Sequence, residues 1–241
     1  MTRHFLDITT TPSVEAIRAS QNGASERFLS WPDAGPSGPD RLTADNAAFI
    51  EARDSFYMAS VSETGWPYVQ HRGGPRGFVK VMDDESLAFA DYRGNRQYLS
   101  LGNLMADSRA ALIFIDYPNR RRLKLLGYVS EIALGMDEAL TARLVDRQYR
   151  AKPERILRLR IEAYDWNCPQ HIVPRYTESE IAEAIRPLRE SHARLEAENA
   201  ALSARITEYE ERLQSQTDED SETRARSAGG DRSISRPAGN A

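Results

Sequence analysis

From Ser55 to Tyr164, short apolar runs alternate with turn-forming residues, and that rhythm restricts the chain to antiparallel β-structure. Ser55-Phe56-Tyr57-Met58-Ala59-Ser60-Val61, the turn Glu63-Thr64-Gly65 and the run Trp66 to Gln70 predict a hairpin. Gly77 to Met82 is expected as a third strand, Asp83-Asp84-Glu85-Ser86 as a turn and Leu87 to Ala90 as a fourth strand. Arg109 to Asp116 is almost continuously apolar, Pro118-Asn119 turns it, and Arg122 to Ile132 is expected to return as a sixth strand. Arg155 to Tyr164 alternates cleanly: Leu157, Leu159, Ile161 and Ala163 fall on one side, Arg158, Arg160 and Glu162 on the other. That period of two marks a half-exposed strand. Helices are expected over Asn95–Met105, with Tyr98, Leu101 and Met105 on one face, and over Asp137–Tyr149, with Leu140, Leu144 and Val145 inward. The expected class is mainly β with helices (α+β). Short antiparallel strands joined by tight turns predict a closed or nearly closed barrel, which also removes sheet edges.

The flanks read differently. Residues 1–40 are an N-terminal arm with a short helix at Pro12–Ile17, capped either by Ser13 or by Thr11 with Pro12 at its first position. Trp31-Pro32-Asp33-Ala34-Gly35-Pro36-Ser37-Gly38-Pro39 is expected to be loop. Thr43 should cap a helix reaching Glu51, and the barrel domain spans 41–168. Residues 169–176 are a linker, within a Pro-interrupted segment whose aromatics predict packing rather than slack. Thr177-Glu178-Ser179-Glu180 has the spacing of a capping box and opens a coiled-coil helix, 177–215. Ile181, Leu188, Leu195, Leu202 and Tyr209 fall at d, and Ile185, His192, Asn199, Ile206 and Leu213 at a. Asn199 at a favours two strands in register. The alternative is one amphipathic helix folded back on the barrel. Pro187 predicts a break near Arg186, with the long helix starting there. Residues 216–241 are rich in Ser, Gly, Asp and Arg and are expected to be a disordered tail.

Net charge is −4 and pI about 5.7, which argues against general binding of nucleic acid or anionic membranes. Cys168 is the only cysteine, so no intrachain disulfide or cysteine-based metal site is available. No apolar run is long enough for a transmembrane helix, and Met1-Thr2-Arg3-His4-Phe5-Leu6-Asp7 lacks a signal-peptide core, so a cytoplasmic location is expected. No His, Asp or Glu group has metal-ligand spacing.

The chemistry-bearing stretch is Gln70-His71-Arg72-Gly73-Gly74-Pro75-Arg76-Gly77-Phe78-Val79-Lys80-Val81, answered by Asp91-Tyr92-Arg93-Gly94-Asn95-Arg96-Gln97-Tyr98. Cations bind phosphate by charge, glycines let backbone N–H groups approach an anion, and a helix start adds its positive end. The pattern reads either as a phosphorylated ligand held against a small β-structure or as a hairpin with a solvated basic rim.

Together these runs resemble the pyridoxamine 5′-phosphate oxidase-like flavoprotein superfamily, over about residues 45–165 and on through Trp166-Asn167-Cys168-Pro169-Gln170-His171-Ile172. The resemblance implies a split β-barrel homodimer with FMN in the groove between subunits. By position, Lys80 matches a strand-end lysine that contacts the FMN phosphate, and Arg96 an arginine gripping the same phosphate. Asn95 stands at the family's serine, and Gln97 replaces its lysine, which removes one cation. Arg76, Gly77, Phe78 and Val79 would run beside the isoalloxazine ring, and Arg72 would supply a further phosphate cation. The Gly-Gly-Pro insertion departs from the oxidases' spacing, and their substrate-phosphate arginines have no clear counterparts here. The expected function is therefore an FMN-dependent oxidoreductase acting on an unidentified small molecule, with no side-chain acid or base named. The alternatives on the same barrel are a flavin- or haem-binding carrier or sensor and an F420-dependent reductase.

Residues near these runs carry weaker signals. His71 either touches flavin or substrate or is a plain strand residue, and His171 is expected to be structural, the alternative being that it closes the site from the partner subunit. Arg120-Arg121-Arg122 reads as a charged hairpin edge, with Arg122 near a flavin-contacting position of the oxidases. Trp166 is expected to be a packing anchor.

Overall fold

The computed structural model describes residues 2–21, 38–166 and 170–229. The chain divides into two compact units, Met1–Arg175 and Tyr176–Ala241.

In the first unit, β1 (Ser55–Val61), β2 (Pro67–Gly73), β3 (Val79–Asp83), β4 (Ser86–Tyr92), β5 (Arg109–Asp116), β6 (Arg121–Ala133) and β7 (Pro153–Trp166) form one sheet in the order β2-β1-β5-β6-β7-β4-β3. Every pairing is antiparallel. The sheet curls on itself. Phe56 of β1 and Phe89 of β4 stand far apart in strand order, yet their rings meet at 5.0 Å. The class is α+β with the strands rolled into a split β-barrel, as the turn rhythm and the resemblance implied.

The apolar faces of the strands fill the barrel. Phe56, Met58, Phe89, Leu112, Phe114, Leu123, Leu125, Leu157, Leu159 and Ile161 are all at most 2% exposed. A smaller cluster on the outer face joins Ala88 and Ile156 to Leu144, Leu140 and Ile132, which explains why β4 is buried on both faces over Ser86–Asp91. Gly127 is required by close approach: a Cβ there would lie 2.2 Å from the Arg160 carbonyl oxygen, at the point where the β6–β7 register shifts. Substitution would force the two strands apart.

Helix α1 (Arg3–Thr9) is anchored to β7, because Thr2 Oγ1 donates to Asp40 and contacts the Tyr164 carbonyl, Phe5 is buried, and His4 meets Glu162 at 2.8 Å. Helix α2 (Pro12–Ser20) takes Thr11 as its cap with Pro12 in its first turn, which settles the two readings of that helix. Thr43 caps α3 (Ala44–Glu51), as expected. Helix α3 covers the free edge of β3, where Glu51 Oε1 accepts from the Val81 N–H at 3.0 Å. Trp166 is a packing anchor: its ring meets Phe49 edge-on at 4.7 Å, its Nε1 donates to Asn46, and Arg121 lies over it.

Two helix boundaries differ from expectation. Helix α4 runs over Leu99–Ala106 rather than from Asn95, because Arg96 and Tyr98 have positive φ and interrupt helical geometry. Helix α5 is Glu138–Leu144 and does not reach Tyr149, since Val145 is already extended. The expected loop from Trp31 lies outside the described residues up to 37, as do Asn167, Cys168 and Pro169.

Beside the barrel, Arg53 Nη1 holds Asp116 at 3.2 Å, and Asn119 donates to the same carboxylate. Burial pushes the Asp116 carboxyl up, but Asn119 and Arg53 outweigh it and hold the group below its usual range. A depressed carboxylate stabilises the fold above its unfolded value, about 3.9, and loses that contribution as pH falls toward the folded value. Asp116→Asn should therefore flatten the loss of stability below about pH 4 in urea titrations, and an unchanged acid limb would refute this.

The second unit is dominated by α6, Glu178–Gly229. Thr177 and Glu180 form the predicted capping box: the Glu180 N–H donates to Thr177 Oγ1 and the Thr177 N–H to Glu180 Oε2. The expected break near Arg186 is absent. Pro187 lies inside one continuous helix, whose exposed flank leaves the unpaired carbonyl to water. The stretch read as a disordered tail from 216 is helical as far as Gly229, with the i,i+4 pair Glu222–Arg226 on its surface. Residues 230–241 lie outside the described part. Among the described residues, no helix is long and apolar enough to cross a membrane.

Candidate functional site

The cleft that concerns function opens where β2, the end of β4 and the start of α4 converge. It is lined by Gln70, Arg72, Asp91, Tyr92, Asn95, Arg96, Gln97, Tyr98, Ser100 and Glu154, among others. Its floor is ionic. Arg72 Nη1 pairs closely with Asp91, Arg155 lies 3.8 Å from the other Asp91 oxygen, and Arg93 Nε meets Glu154 at 2.7 Å. Asp91 is only 6% exposed, and burial pushes its carboxyl up against the pull of Arg72 and Arg155. Glu154 is held below its usual range, chiefly by the Arg93 hydrogen bond. The pair Asp91–Arg72 thus fixes one guanidinium in the wall of the cleft.

Its rim is a strained turn. Arg96 has φ 62° and Tyr98 φ 54°, left-handed values that cost side-chain-bearing residues energy. Asn95 Oδ1 accepts from the Gln97 N–H at 3.1 Å, closing an Asx turn between them. Tyr98 is the N-cap of α4 and its side chain makes no cap hydrogen bond, so the helix start, which lines the cleft, has no N-cap side-chain acceptor for its first amides. Ser100, 2% exposed, donates to Gln70 Oε1 at 2.6 Å and ties the helix start to β2.

Two buried donors in this wall have no protein acceptor among the described residues, Arg72 Nε and Tyr92 Oη. Buried polar groups are rarely left unpaired. Uncommitted donors, a guanidinium, a left-handed turn and an uncapped helix start together match an anion with several acceptor oxygens, as on a phosphate. The enclosed volume is about 50 Å³, whereas pockets for ligands of drug size run to about 300–1,000 Å³. This cleft by itself therefore has room for a phosphate-sized group and not for a three-ring heterocycle.

Of the residues singled out in the sequence, the fold brings Arg72, Asn95, Arg96 and Gln97 together here. It does not bring Arg76, Gly77, Phe78, Val79 or Lys80 into this cleft. Phe78 and Val79 are 4% and 0% exposed and belong to the barrel core, where Phe78 stacks on Phe56 at 5.9 Å. Gly74 makes that possible, since a Cβ there would sit 2.5 Å from the Phe78 ring. The Gly77 N–H donates to the Arg53 carbonyl and Arg76 Nε to the Ala52 carbonyl, which ties the β2–β3 connection to the segment between α3 and β1. Lys80 is half-buried on β3, opposite Ala88. Of the three expected phosphate cations, Arg72 and Arg96 line this cleft and Lys80 does not. Sequence reasoning missed Asp91, Tyr92, Ser100, Glu154 and Arg155; Asp91 and Tyr92 stood in the quoted run, but only the β4–β7 register, which sets Asp91 opposite Arg155, reveals the cluster.

His71 lies outside the cleft, exposed, with its ring against Tyr57 at 5.4 Å. Arg122 Nε is buried without a hydrogen-bond partner among the described residues.

Residues 42–168 match the family model described as pyridoxamine 5′-phosphate oxidase, over half of the 241-residue chain. The chain belongs to that family. Similar solved structures include HupZ of Group A Streptococcus, 13% identical, covering 56% of this chain and 99% of that one with a TM-score of 0.42. An FMN-binding protein of Syntrophomonas wolfei is 11% identical and covers 65% of this chain and 97% of its own, with a TM-score of 0.37. An F420 reductase is 22% identical over 52% and 98%, with a TM-score of 0.38. No curated protein matches.

Proposed function

We propose that this chain is an FMN-binding flavoprotein and acts as an oxidoreductase on a small molecule. The observation that carries the reading is the convergence of Arg72, the left-handed Arg96 turn and the uncapped start of α4 on one phosphate-sized cleft whose buried donors lack protein acceptors. In this reading Arg72, pinned by Asp91, and Arg96 neutralise the cofactor's phosphate, Tyr92 donates to a phosphate oxygen, and the α4 amides complete the cradle. When bound, the flavin supplies the redox chemistry, and the chain binds and orients it. The ring would extend beyond the 50 Å³ cleft, and in this reading a second copy of the barrel covers it, as a homodimer. The cradle reads phosphate and not the ring, so F420, whose tail also carries phosphate, is the second reading.

The test is the visible spectrum of the purified protein together with its mass in solution. A flavin spectrum released intact on denaturation, in a protein of dimeric mass, is expected. A deazaflavin spectrum selects the second reading. A protein that stays colourless and takes up no FMN on incubation overturns both. Turnover of reduced pyridine nucleotide with an added acceptor then separates an enzyme from a carrier.

A further inference from the structure

Helix α6 carries an exposed apolar stripe along its length: Ile181, Leu188, Leu195, Leu202, Ile206, Tyr209 and Leu213 are 45–70% exposed. We propose that this stripe is an interaction surface for a second copy of itself, and that two α6 helices pair as a parallel, in-register coiled coil from Ile181 to Leu213. Because Pro187 does not interrupt the helix, the 4-3 spacing runs unbroken through all of these positions. Beyond Leu213 the corresponding positions are Gln216, Asp220 and Thr223, so the paired region stops there while the helix continues.

The composition of the stripe selects two strands. Ile185 and Ile206 stand at a and Leu188, Leu195 and Leu202 at d, and β-branched a with leucine d favours dimers. Orientation follows from the polar layers. In a parallel, in-register pair Asn199 faces Asn199 and the two amides satisfy each other, and His192 faces His192 in the next a layer. In an antiparallel pair a faces d, and alignment about the middle of the stripe sets Asn199 against Leu195 and buries its amide unpaired. The flanking charges agree. Parallel pairing places Arg205 beside Glu210 of the other strand and opposes no like charges, whereas the antiparallel alignment sets Glu196 against Glu196 and Glu198 against Glu198. The surface pairs Arg186–Glu190 and Arg212–Glu208 lie within one helix and support it without bridging strands.

This pairing is independent of cofactor binding and of any pairing of the barrels, and the test is placed on α6 alone. Full-length protein carrying Asn199→Cys is compared with Glu211→Cys, at the outer face of the same helix, in a glutathione redox buffer at low protein concentration. Both carry Cys168→Ser, so that no other thiol competes. Parallel pairing brings the two residues 199 within disulfide reach. A covalent dimer forming at least tenfold faster in Asn199→Cys than in Glu211→Cys is expected, with peptide mapping locating the bridge between the two copies of position 199. Ile206→Cys repeats the test at a layer that keeps the native asparagine, with the same expected result. Equal rates at inner and outer positions would overturn the pairing. Preferential linkage in a mixture of Leu195→Cys and Asn199→Cys proteins, without linkage of Asn199→Cys to itself, would overturn the orientation.

Discussion

Replacing Arg96 with alanine is expected to weaken FMN binding by about 1.5–3 kcal/mol, the scale of a hydrogen bond to a charged group, or roughly ten- to a hundredfold in Kd. Arg96 lines the cleft at a positive φ, a conformation that costs a side-chain-bearing residue energy. Alanine at 96 removes the cation, while the Asx contact of Asn95 with the Gln97 amide is retained by the neighbouring residues. Lys80→Ala is the control: Lys80 stands outside the cleft, and its loss is expected to leave FMN affinity within about twofold. Fluorescence titration of FMN into the stripped protein measures both. Equal losses in the two variants would return Lys80 to the phosphate site, and no loss in either would remove the cleft from the cofactor altogether. The flavoprotein reading would then have to be rebuilt around another surface.

Phe56→Ala should destabilise the barrel by about 3–5 kcal/mol, the range for truncating a buried phenylalanine. Phe56 is 1% exposed, and its ring meets Phe114 at 4.9 Å, Phe89 at 5.0 Å and Phe78 at 5.9 Å. It therefore joins β1 to β5, to β4 and to the β2–β3 connection across the closed core. None of these neighbours can relax into the void without loosening strand pairing, so the cavity cost adds to the lost transfer energy. Urea denaturation followed by tryptophan fluorescence measures the change. A loss below about 1 kcal/mol would show that the ring cluster is not the closure of the barrel. The expected destabilisation should also lower FMN retention, since closure of the barrel brings Arg72 of β2 against Asp91 of β4.

The strand order along the chain was open to reading because the apolar runs are set off by turn-forming residues and the last strand alternates in polarity residue by residue. Thr43, Thr177 and Glu180 announced two helix starts by their side-chain chemistry, and the structure uses all three as expected. Boundaries failed where backbone geometry outweighed side-chain preference. Asn95 to Tyr98 looked helical, but Arg96 and Tyr98 adopt left-handed values that no local pattern announces. The candidate site was half legible. Arg72, Asn95, Arg96 and Gln97 stood in two runs already rich in cations and glycines. Phe78 and Val79, in the same runs, turned out to be core.

The division has one physical cause. Periodicity, capping and turn chemistry act over a few residues, so the amino-acid order alone determined the β-rich barrel class, the helix caps and the 4-3 stripe of α6. Whether a cation faces a ligand or the neighbouring strands depends on register between segments distant in the chain, such as Asp91 opposite Arg155 and the pairing of Arg72 with Asp91. Only the closed sheet decided that Arg72, and not Lys80, joins Arg96, because barrel closure is a long-range packing event and leaves no mark on either residue's neighbours in sequence.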